Sequence, residues 1–512
     1  MKKINIYILS LLLIGPFSLS SCEKLLDVNE DPINPTEATE ELLLTGIQQN
    51  FSFEVLGGIP ARMAAGITQQ TRYQIFQSYD DYFITENDVD GFWNDFSYVG
   101  VMANCKILSE QAIAKNKNYH AAIAKIIWAQ NMAMITDAFG DAPFSQAWQP
   151  ETYPFPVYDT QEEIFVGIQN LLDEAIAHID DTNQSAEVPG SDDLVYGGNM
   201  QKWRKYAYGL KARYYMRLSN APGYNAQTQS QLVLDAVAQS FTSNDDNALY
   251  QYSSQLLQEN PWNQYAVNDR WNTFTVPNAV TYKSNLLLVN NRDLRLALHF
   301  RKSDPDKNGF ILQTNDNGTV NLYLDPAPYN NQSLLGVLYA DSDSPLPWLM
   351  YSEIKFLEAE AHHHLSNNSA RDEAFRGALE ADFSFIRSFL NKIALTEEDR
   401  SALSNTAALD EMIQTYIATI VERADYTTLM TQKYIVNFLS FESYNDLRRT
   451  GIPELNTPDR SVLKDRFESD SIALRFPYPS SEWQYNPRNV ATRNVPLGFS
   501  SMLVPVWWDS KE

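Results

Sequence analysis

Two stretches of this sequence combine aromatic rings with hydrogen-bonding side chains, which is the chemistry needed to hold a sugar-like ligand. One runs from Arg72 to Phe83 and the other from Trp262 to Trp271. A flat ring packs against the apolar C–H face of a sugar, while Asn, Asp and Arg side chains bond its hydroxyl groups. Removing about 50 Å² of apolar surface from water contributes on the order of 1 kcal/mol per ring, so such sites bind weakly.

The second stretch is favoured because its tryptophans stand in a polar segment rich in Pro and Asn, where helical packing does not account for them. The candidate ligand-binding residues are Trp262, Asn263, Tyr265, Asp269, Arg270 and Trp271, together with Tyr79, Tyr82 and Phe83 from the first stretch. Packing within a loop is the alternative explanation for each ring. Trp93 is left out because Trp93, Phe96 and Gly100 recur at helical spacing.

Catalytic and metal-binding motifs are not found in the sequence. It has no Gly-x-Ser-x-Gly elbow, phosphate-binding loop, dinucleotide-binding glycine turn or His-Glu-x-x-His zinc motif. The consecutive histidines His362–His364 point about 100° apart on a helix, so they do not converge on one ion. We therefore expect a protein that is not an enzyme and holds no cofactor.

One segment partly matches a calcium-binding loop. Asp304, Asp306 and Asn308 offer oxygen atoms at alternating positions, and Gly309 follows at the sharp turn. The twelfth position is Asn315, whereas the complete motif has a bidentate Glu there. An ordinary turn before a β-strand is favoured, with calcium binding as the alternative.

The N-terminus has the layout of an export signal. Lys2 and Lys3 precede an apolar run, Ile4–Ile14, that is shorter than the roughly 20 residues needed to span a bilayer. Leu19–Cys22 follows and resembles the lipobox of bacterial lipoproteins, in which the cysteine becomes the lipid-bearing first residue of the mature chain. We therefore expect residues 1–21 to be removed, Cys22 to carry covalent lipid, and residues 22–35 to form an acidic tether.

The charge of the chain argues against one class of partner. The formal net charge is −25 and no cluster of Lys and Arg offsets it, which argues against nucleic acid as a partner.

The cysteine content excludes an internal disulfide. With Cys22 lipidated, Cys105 is the one remaining cysteine of the mature chain, so it has no cysteine to pair with. Cys105 lies in an apolar stretch and is expected to be buried.

Apolar residues recur at helical spacing through most of the chain. The predicted helical segments are Glu40–Phe53, Phe92–Ala114, Ala121–Phe139, Ile164–Ile179, Met200–Leu218, Trp348–Leu365, Ala374–Ile393, Leu409–Val421 and Leu429–Leu447. Between about residues 241 and 345 this spacing fades, and a β-hairpin is predicted at Phe310–Leu324 around an Asn-Asp-Asn-Gly turn. The sequence thus predicts a helical scaffold, at about 36–240 and 346–512, that carries a loop-rich insertion.

Charged residues inside the predicted helices are expected to pair with one another. Arg213 and Arg217 share one helix face, and we expect at least one glutamate of the Tyr351–Ala361 segment to face them. Arg448 and Arg449 precede Gly451, as at the end of a helix.

Five separated stretches resemble the SusD/RagB family of outer-membrane nutrient-binding lipoproteins of Bacteroidetes. They are Asp137–Phe144, Trp203–Arg217, Tyr351–Ala361, Gln432–Pro453 and Arg475–Asn486. Their order, together with the lipobox, covers nearly the whole mature chain. The resemblance implies a mostly α-helical fold of tetratricopeptide-like helix pairs, with residues 36–512 as one domain whose loop-rich insertion contains short β-hairpins and binds the ligand.

The resemblance also implies a function and a location. Such a protein is lipid-anchored in the outer membrane, faces the outside of the cell, binds an oligosaccharide and delivers it to a SusC-like TonB-dependent transporter. The sequence leaves other functions open: peptide uptake of the RagB type, a helical glycoside hydrolase, or a scaffold that binds only protein.

Overall fold

The computed structural model describes residues 38–73, 79–181, 187–269, 274–275, 292–329, 333–393, 395–455 and 472–510. The predicted signal, the lipid site and the tether lie outside these residues. Within them, none of the helices is both long enough and apolar enough to cross a membrane.

Helices make up most of the described chain. They are α1 (Glu40–Asn50), α2 (Ile59–Ile67), α3 (Asn104–Ala114), α4 (Asn118–Phe139), α5 (Gln161–Asp180), α6 (Met200–Arg217), α7 (Ala226–Val237), α8 (Pro261–Asn263), α9 (Leu296–His299), α10 (Val337–Ala340), α11 (Tyr351–His364), α12 (Asn368–Arg387), α13 (Glu397–Ser404), α14 (Thr406–Val421), α15 (Tyr426–Val436), α16 (Phe441–Thr450), α17 (Ser480–Tyr485) and α18 (Pro487–Ala491). Wider π-helical turns continue α1 over Phe51–Leu56, precede α3 over Gly91–Ala103, and follow α8 over Gln264–Asp269.

The helices pack mostly against their neighbours in sequence. Helix α4 packs against α3 and α5, α6 against α7, and α11 against α12, α7 and α15. Most side chains of α4 are buried, including a run of alanines that lets neighbouring helices approach closely. The side chain of Thr160 caps the first turn of α5, and that of Glu163 bonds back to the Thr160 backbone, which fixes where this helix begins.

The strands are short and form two-stranded antiparallel ladders. The strands are β1 (Arg72–Tyr73), β2 (Ala248–Tyr250), β3 (Phe274–Thr275), β4 (Phe310–Thr314), β5 (Val320–Leu324) and β6 (Leu346–Leu349). Strand β1 pairs with β3, β2 with β6, and β4 with β5. The β4–β5 pair is the hairpin predicted from the sequence.

A network of buried ion pairs joins the helices of the scaffold. Arg213 of α6 bonds both carboxylate oxygens of Glu353 of α11, at 2.7 and 2.8 Å. Arg217 of α6 pairs with Glu442 of α16. Arg449 of α16 bonds Glu360 of α11 at 2.6 Å. The predicted arginine–glutamate pairing is therefore present.

The sequence pattern was wrong about one long helix. The predicted segment Leu429–Leu447 is two helices, α15 and α16, separated by a turn in which Leu439 has a positive φ of 60°. Neither Gly nor Pro marks this turn. The end of α16 follows the prediction, since Gly451 adopts the left-handed conformation with φ 72° just beyond the last turn.

Replacing Glu353 with Gln tests the energetic role of this network. The variant leaves the buried guanidinium of Arg213 without its charged partner, and we expect it to lower the free energy of unfolding by about 3–5 kcal/mol in urea titrations. Glu110→Gln is the matched control, because Glu110 pairs with Lys106 at the exposed surface. A surface pair of this kind is worth about 1 kcal/mol or less. Equal losses for the two variants would contradict the assignment.

Candidate functional site

The short β1–β3 ladder joins the first of the two stretches to the chain just beyond the second. Arg72 stands opposite Thr275 and Tyr73 opposite Phe274. The start of the first stretch therefore lies beside a segment that follows the second stretch by three residues, although about two hundred residues separate the paired strands in sequence. This pairing defines the region in which we place the candidate site.

Five side chains of this region form what we call the tyrosine cluster: Glu54, Arg62, Tyr73, Tyr79 and Tyr265. Tyr73 is buried and meets Tyr79 edge to face, with ring centroids 5.5 Å apart. Tyr265 is half-buried, and the guanidinium carbon of Arg62 lies 3.8 Å from its ring centroid. Stacking of a guanidinium on an aromatic ring holds both groups in a fixed orientation.

The charged side chains of the tyrosine cluster have few internal partners. The guanidinium of Arg62 makes no hydrogen bond or ion pair with any residue that the structure describes, and its Nε is buried without an acceptor. Burial raises the pKa of Glu54, and the positive charge of Arg62 partly offsets the effect. Burial also raises the pKa of Tyr73 well above its usual value, and the neighbouring Tyr265 and Tyr79 add to the shift.

Trp262, the residue favoured in the sequence, is placed in the core. Its side chain is 2% exposed, and its backbone N–H bonds the side-chain oxygen of Asn260 at the start of α8. The amide of Asn263 is also committed to the fold, since it donates to the carbonyl of Ala340 at 2.8 Å. Both side chains are buried and serve the fold, and a ligand contact of either one stays a prediction.

The aromatic residues of the first stretch include one buried ring and two partly exposed rings. Tyr82 is completely buried and has a positive φ of 58°, and a ligand contact of its ring stays a prediction. Tyr79 is half-buried within the tyrosine cluster. Phe83 is 40% exposed and lies 5.6 Å from Phe499, measured between ring centroids.

The remaining predicted residues lie outside the described part of the chain. These are Cys22, Arg270, Trp271 and the side chain of Asp269. Sequence analysis also missed Arg62, because it lies on the apolar helix α2, outside both stretches. An arginine on an otherwise apolar helix is the signal that could have revealed it.

A cavity of about 90 Å³ lies behind Trp262. Leu56, Trp348 and Glu353 contribute to its walls. Small-molecule sites usually span about 300–1,000 Å³, so this cavity lies well below that range. We place the candidate site at the tyrosine cluster instead.

The candidate calcium turn is held by its own side chains and by α13. The backbone N–H of Asp306 bonds the Asp304 carboxylate at 3.2 Å, and the Asn308 amide bonds Glu398. Among the described residues, no group of three or more His, Cys, Asp or Glu side chains is arranged to hold a metal ion. Calcium binding at this turn stays a prediction.

A family model described as "Starch-binding associating with outer membrane", for SusD-like proteins, matches residues 32–479 of the chain. A search of curated proteins found no match.

Solved structures of SusD-type proteins have the same fold. A SusD/RagB family protein from Bacteroides thetaiotaomicron is 24% identical, with a TM-score of 0.69 over 93% of this chain and 100% of that one. A SusD homologue from Bacteroides fragilis is 20% identical, with a TM-score of 0.71 over 92% and 100%. A chitin-binding protein is 20% identical, with a TM-score of 0.69 over 92% and 100%. The predicted fold class, mostly helical with a few short strands, is confirmed.

Substitution of Trp262 separates a packing role from a ligand role. Trp262→Ala removes a large buried ring, and we expect a loss of about 3–5 kcal/mol in the free energy of unfolding, measured in urea. Phe83→Ala serves as control, because its half-exposed ring leaves a much smaller void. If Trp262→Ala were as stable as Phe83→Ala, Trp262 would not be a core residue.

Proposed function

This chain belongs to the SusD-like family of proteins associated with the outer membrane, and from that premise we propose that it captures an oligosaccharide for uptake. It is a binding protein, anchored by lipid at Cys22 and facing the outside of the cell. The captured ligand passes to a SusC-like TonB-dependent transporter, which supplies the energy for import.

The observation that carries the proposal is the stacked pair of Arg62 and Tyr265. The guanidinium is held 3.8 Å from the ring centroid, and its N–H groups have no acceptor among the described residues. A sugar offers both an apolar face for a ring and hydroxyl oxygens for these donors. The pair therefore suits a saccharide and is already oriented before the ligand arrives.

Known relatives favour a saccharide over a peptide. The matching family model is described as starch-binding, and one solved structure of the same fold is named a chitin-binding protein. Starch and chitin differ in linkage and substituents but share the ring faces and hydroxyl groups that the tyrosine cluster suits.

The carboxylates of the tyrosine cluster and of the first stretch argue for binding without hydrolysis. Most glycoside hydrolases use two carboxyl groups on either side of the bond that they cleave. Asp80 and Asp81, which lie in the first stretch, are fully buried, so they are closed to a substrate in this conformation. Among the described residues of the cluster, Glu54 supplies the single carboxylate that is partly exposed.

Substitutions in the stacked pair test the proposal. Purified mature protein is titrated with maltoheptaose and with chitohexaose in a calorimeter, and one of the two is expected to bind with a micromolar to millimolar Kd. Tyr265→Ala and Arg62→Ala should each weaken that binding about five- to tenfold, because each removes an interaction worth on the order of 1 kcal/mol.

Tyr485→Ala is the matched control, since Tyr485 is a tyrosine on α17 that is 67% exposed. It should bind as tightly as the unaltered protein. Binding that is indifferent to Tyr265 and Arg62 would remove the tyrosine cluster as the site. Binding of a peptide library with no binding of either glycan would replace the oligosaccharide with a peptide.

Replacing Cys22 with Ala tests the anchor separately. The acyl chains attached to this residue hold the protein on the membrane, at about 0.8 kcal/mol per buried CH₂ group. The variant should bind the glycan normally in solution and should no longer support growth on it in cells, as measured by growth rate and membrane fractionation. Unchanged growth with the protein released from the membrane would show that the anchor is dispensable.

A further inference from the structure

A second concave site lies between strand β5 and helix α14, on elements that take no part in the tyrosine cluster. The pocket has a volume of about 310 Å³. Small-molecule sites in proteins usually span about 300–1,000 Å³, so this one reaches the lower end of that range. It is several times larger than the 90 Å³ cavity behind Trp262.

The walls of this pocket carry polar side chains that the fold does not use. These side chains are Arg292, Asn321, Tyr323, Glu411 and Thr415. None of them makes a side-chain hydrogen bond or ion pair with a residue that the structure describes, and both charged groups are exposed. Hydrogen-bonding side chains from three separate segments thus line one concave space, and they have no hydrogen-bond partner among the described residues.

The backbone of β5 adds further donors and acceptors. Ladder hydrogen bonds join Asn315 to Thr319 at one end of the hairpin and Asp325 to Gly309 at the other. Because bonded and non-bonded pairs alternate in an antiparallel ladder, the N–H and C=O of Leu322 point away from β4. They face the open edge of β5, and Leu322 is itself a wall residue of the pocket.

The apolar part of the pocket is rigid. Leu324 and Ala408 are buried wall residues. The ring of Tyr416 is another, and its hydroxyl donates to Asp293 at 2.6 Å and accepts from Arg295 at 3.2 Å. That hydroxyl is committed to the fold, so the ring stays in place and offers an apolar surface to whatever enters.

We propose that this pocket is a second carbohydrate site, which binds a saccharide of one or two rings. One arginine and one glutamate give the walls no net charge, which favours an uncharged ligand over an anion or a cation. The tyrosine rings and the uncommitted amide, hydroxyl and guanidinium groups match the ring faces and hydroxyl groups of a sugar. The proposal takes only the class of ligand from the proposed function, and the two sites share no residue.

The NMR signal of the Met412 methyl group reports on ligand binding in this pocket, because Met412 lines the pocket. Protein labelled with ¹³C at the methionine methyl groups is titrated with maltose and with N,N′-diacetylchitobiose, and the Met412 signal is assigned with Met412→Leu. At least one disaccharide should shift this signal in a saturable way. The signals of Met63 and Met102, which are fully buried elsewhere, should stay in place.

Two variants tie the shift to the pocket. Tyr323→Ala and Glu411→Gln should each weaken the titration at least fivefold, and unchanged Met63 and Met102 signals verify that each variant is folded. Tyr265→Ala, which removes the tyrosine cluster, should leave the Met412 titration unchanged. Failure of the tyrosine cluster to bind glycan is therefore distinguishable from failure of this site.

Three results would overturn the second site. They are a Met412 signal that neither disaccharide moves, a shift that persists undiminished in both Tyr323→Ala and Glu411→Gln, and a shift produced by the dipeptide Ala-Ala but by neither sugar. The last result would assign the pocket to a peptide end instead.

Discussion

Burial of arginine is the constraint on which the rest of this structure depends. A guanidinium removed from water must meet carboxylates or other hydrogen-bond acceptors with good geometry, since its desolvation costs several kcal/mol. Helices α6 and α16 each bury two arginines. Burial alone would raise the pKa of Glu442, yet the guanidiniums of Arg217 and Arg213 hold it at about 2, so this carboxylate is charged at neutral pH.

These pairs fix how the two halves of the scaffold meet. Helix α6 precedes the loop-rich insertion, whereas α11 and α16 follow it, and ion pairs join α6 to both. Lys433 of α15 bonds Asp446 of α16 at 2.9 Å, which extends the network to the next helix. With the two flanks held together, the insertion between them is carried on a fixed support. Ligand-binding residues are usually found on such supported loops.

Sequence analysis succeeded where the deciding interactions are local. Helical spacing and the Asn-Asp-Asn-Gly turn act within a few residues, and the corresponding elements are present. It failed where a residue distant in sequence determines the local conformation. The turn at Leu439 has no Gly or Pro to mark it, and its conformation is set by Gln70, whose side-chain oxygen accepts the backbone N–H of Leu439 from 369 residues away. The position of Arg62 over Tyr265 depends on a similar long-range contact.

The aromatic residues illustrate why ring counts are a poor guide to the binding site. Many rings here serve as packing that joins distant segments: Trp93 meets Phe139 edge to face at 4.9 Å, and Tyr158 meets Tyr478 at 5.5 Å. Trp262 belongs to the same buried class, although its polar neighbours in sequence suggested otherwise. Tyr265 and Tyr323 differ because hydrogen-bonding groups without an internal partner accompany them, Arg62 in one case and Asn321 in the other. A polar group kept near a ring but left unused by the fold is the better indicator of a ligand, because packing alone gives no reason for it.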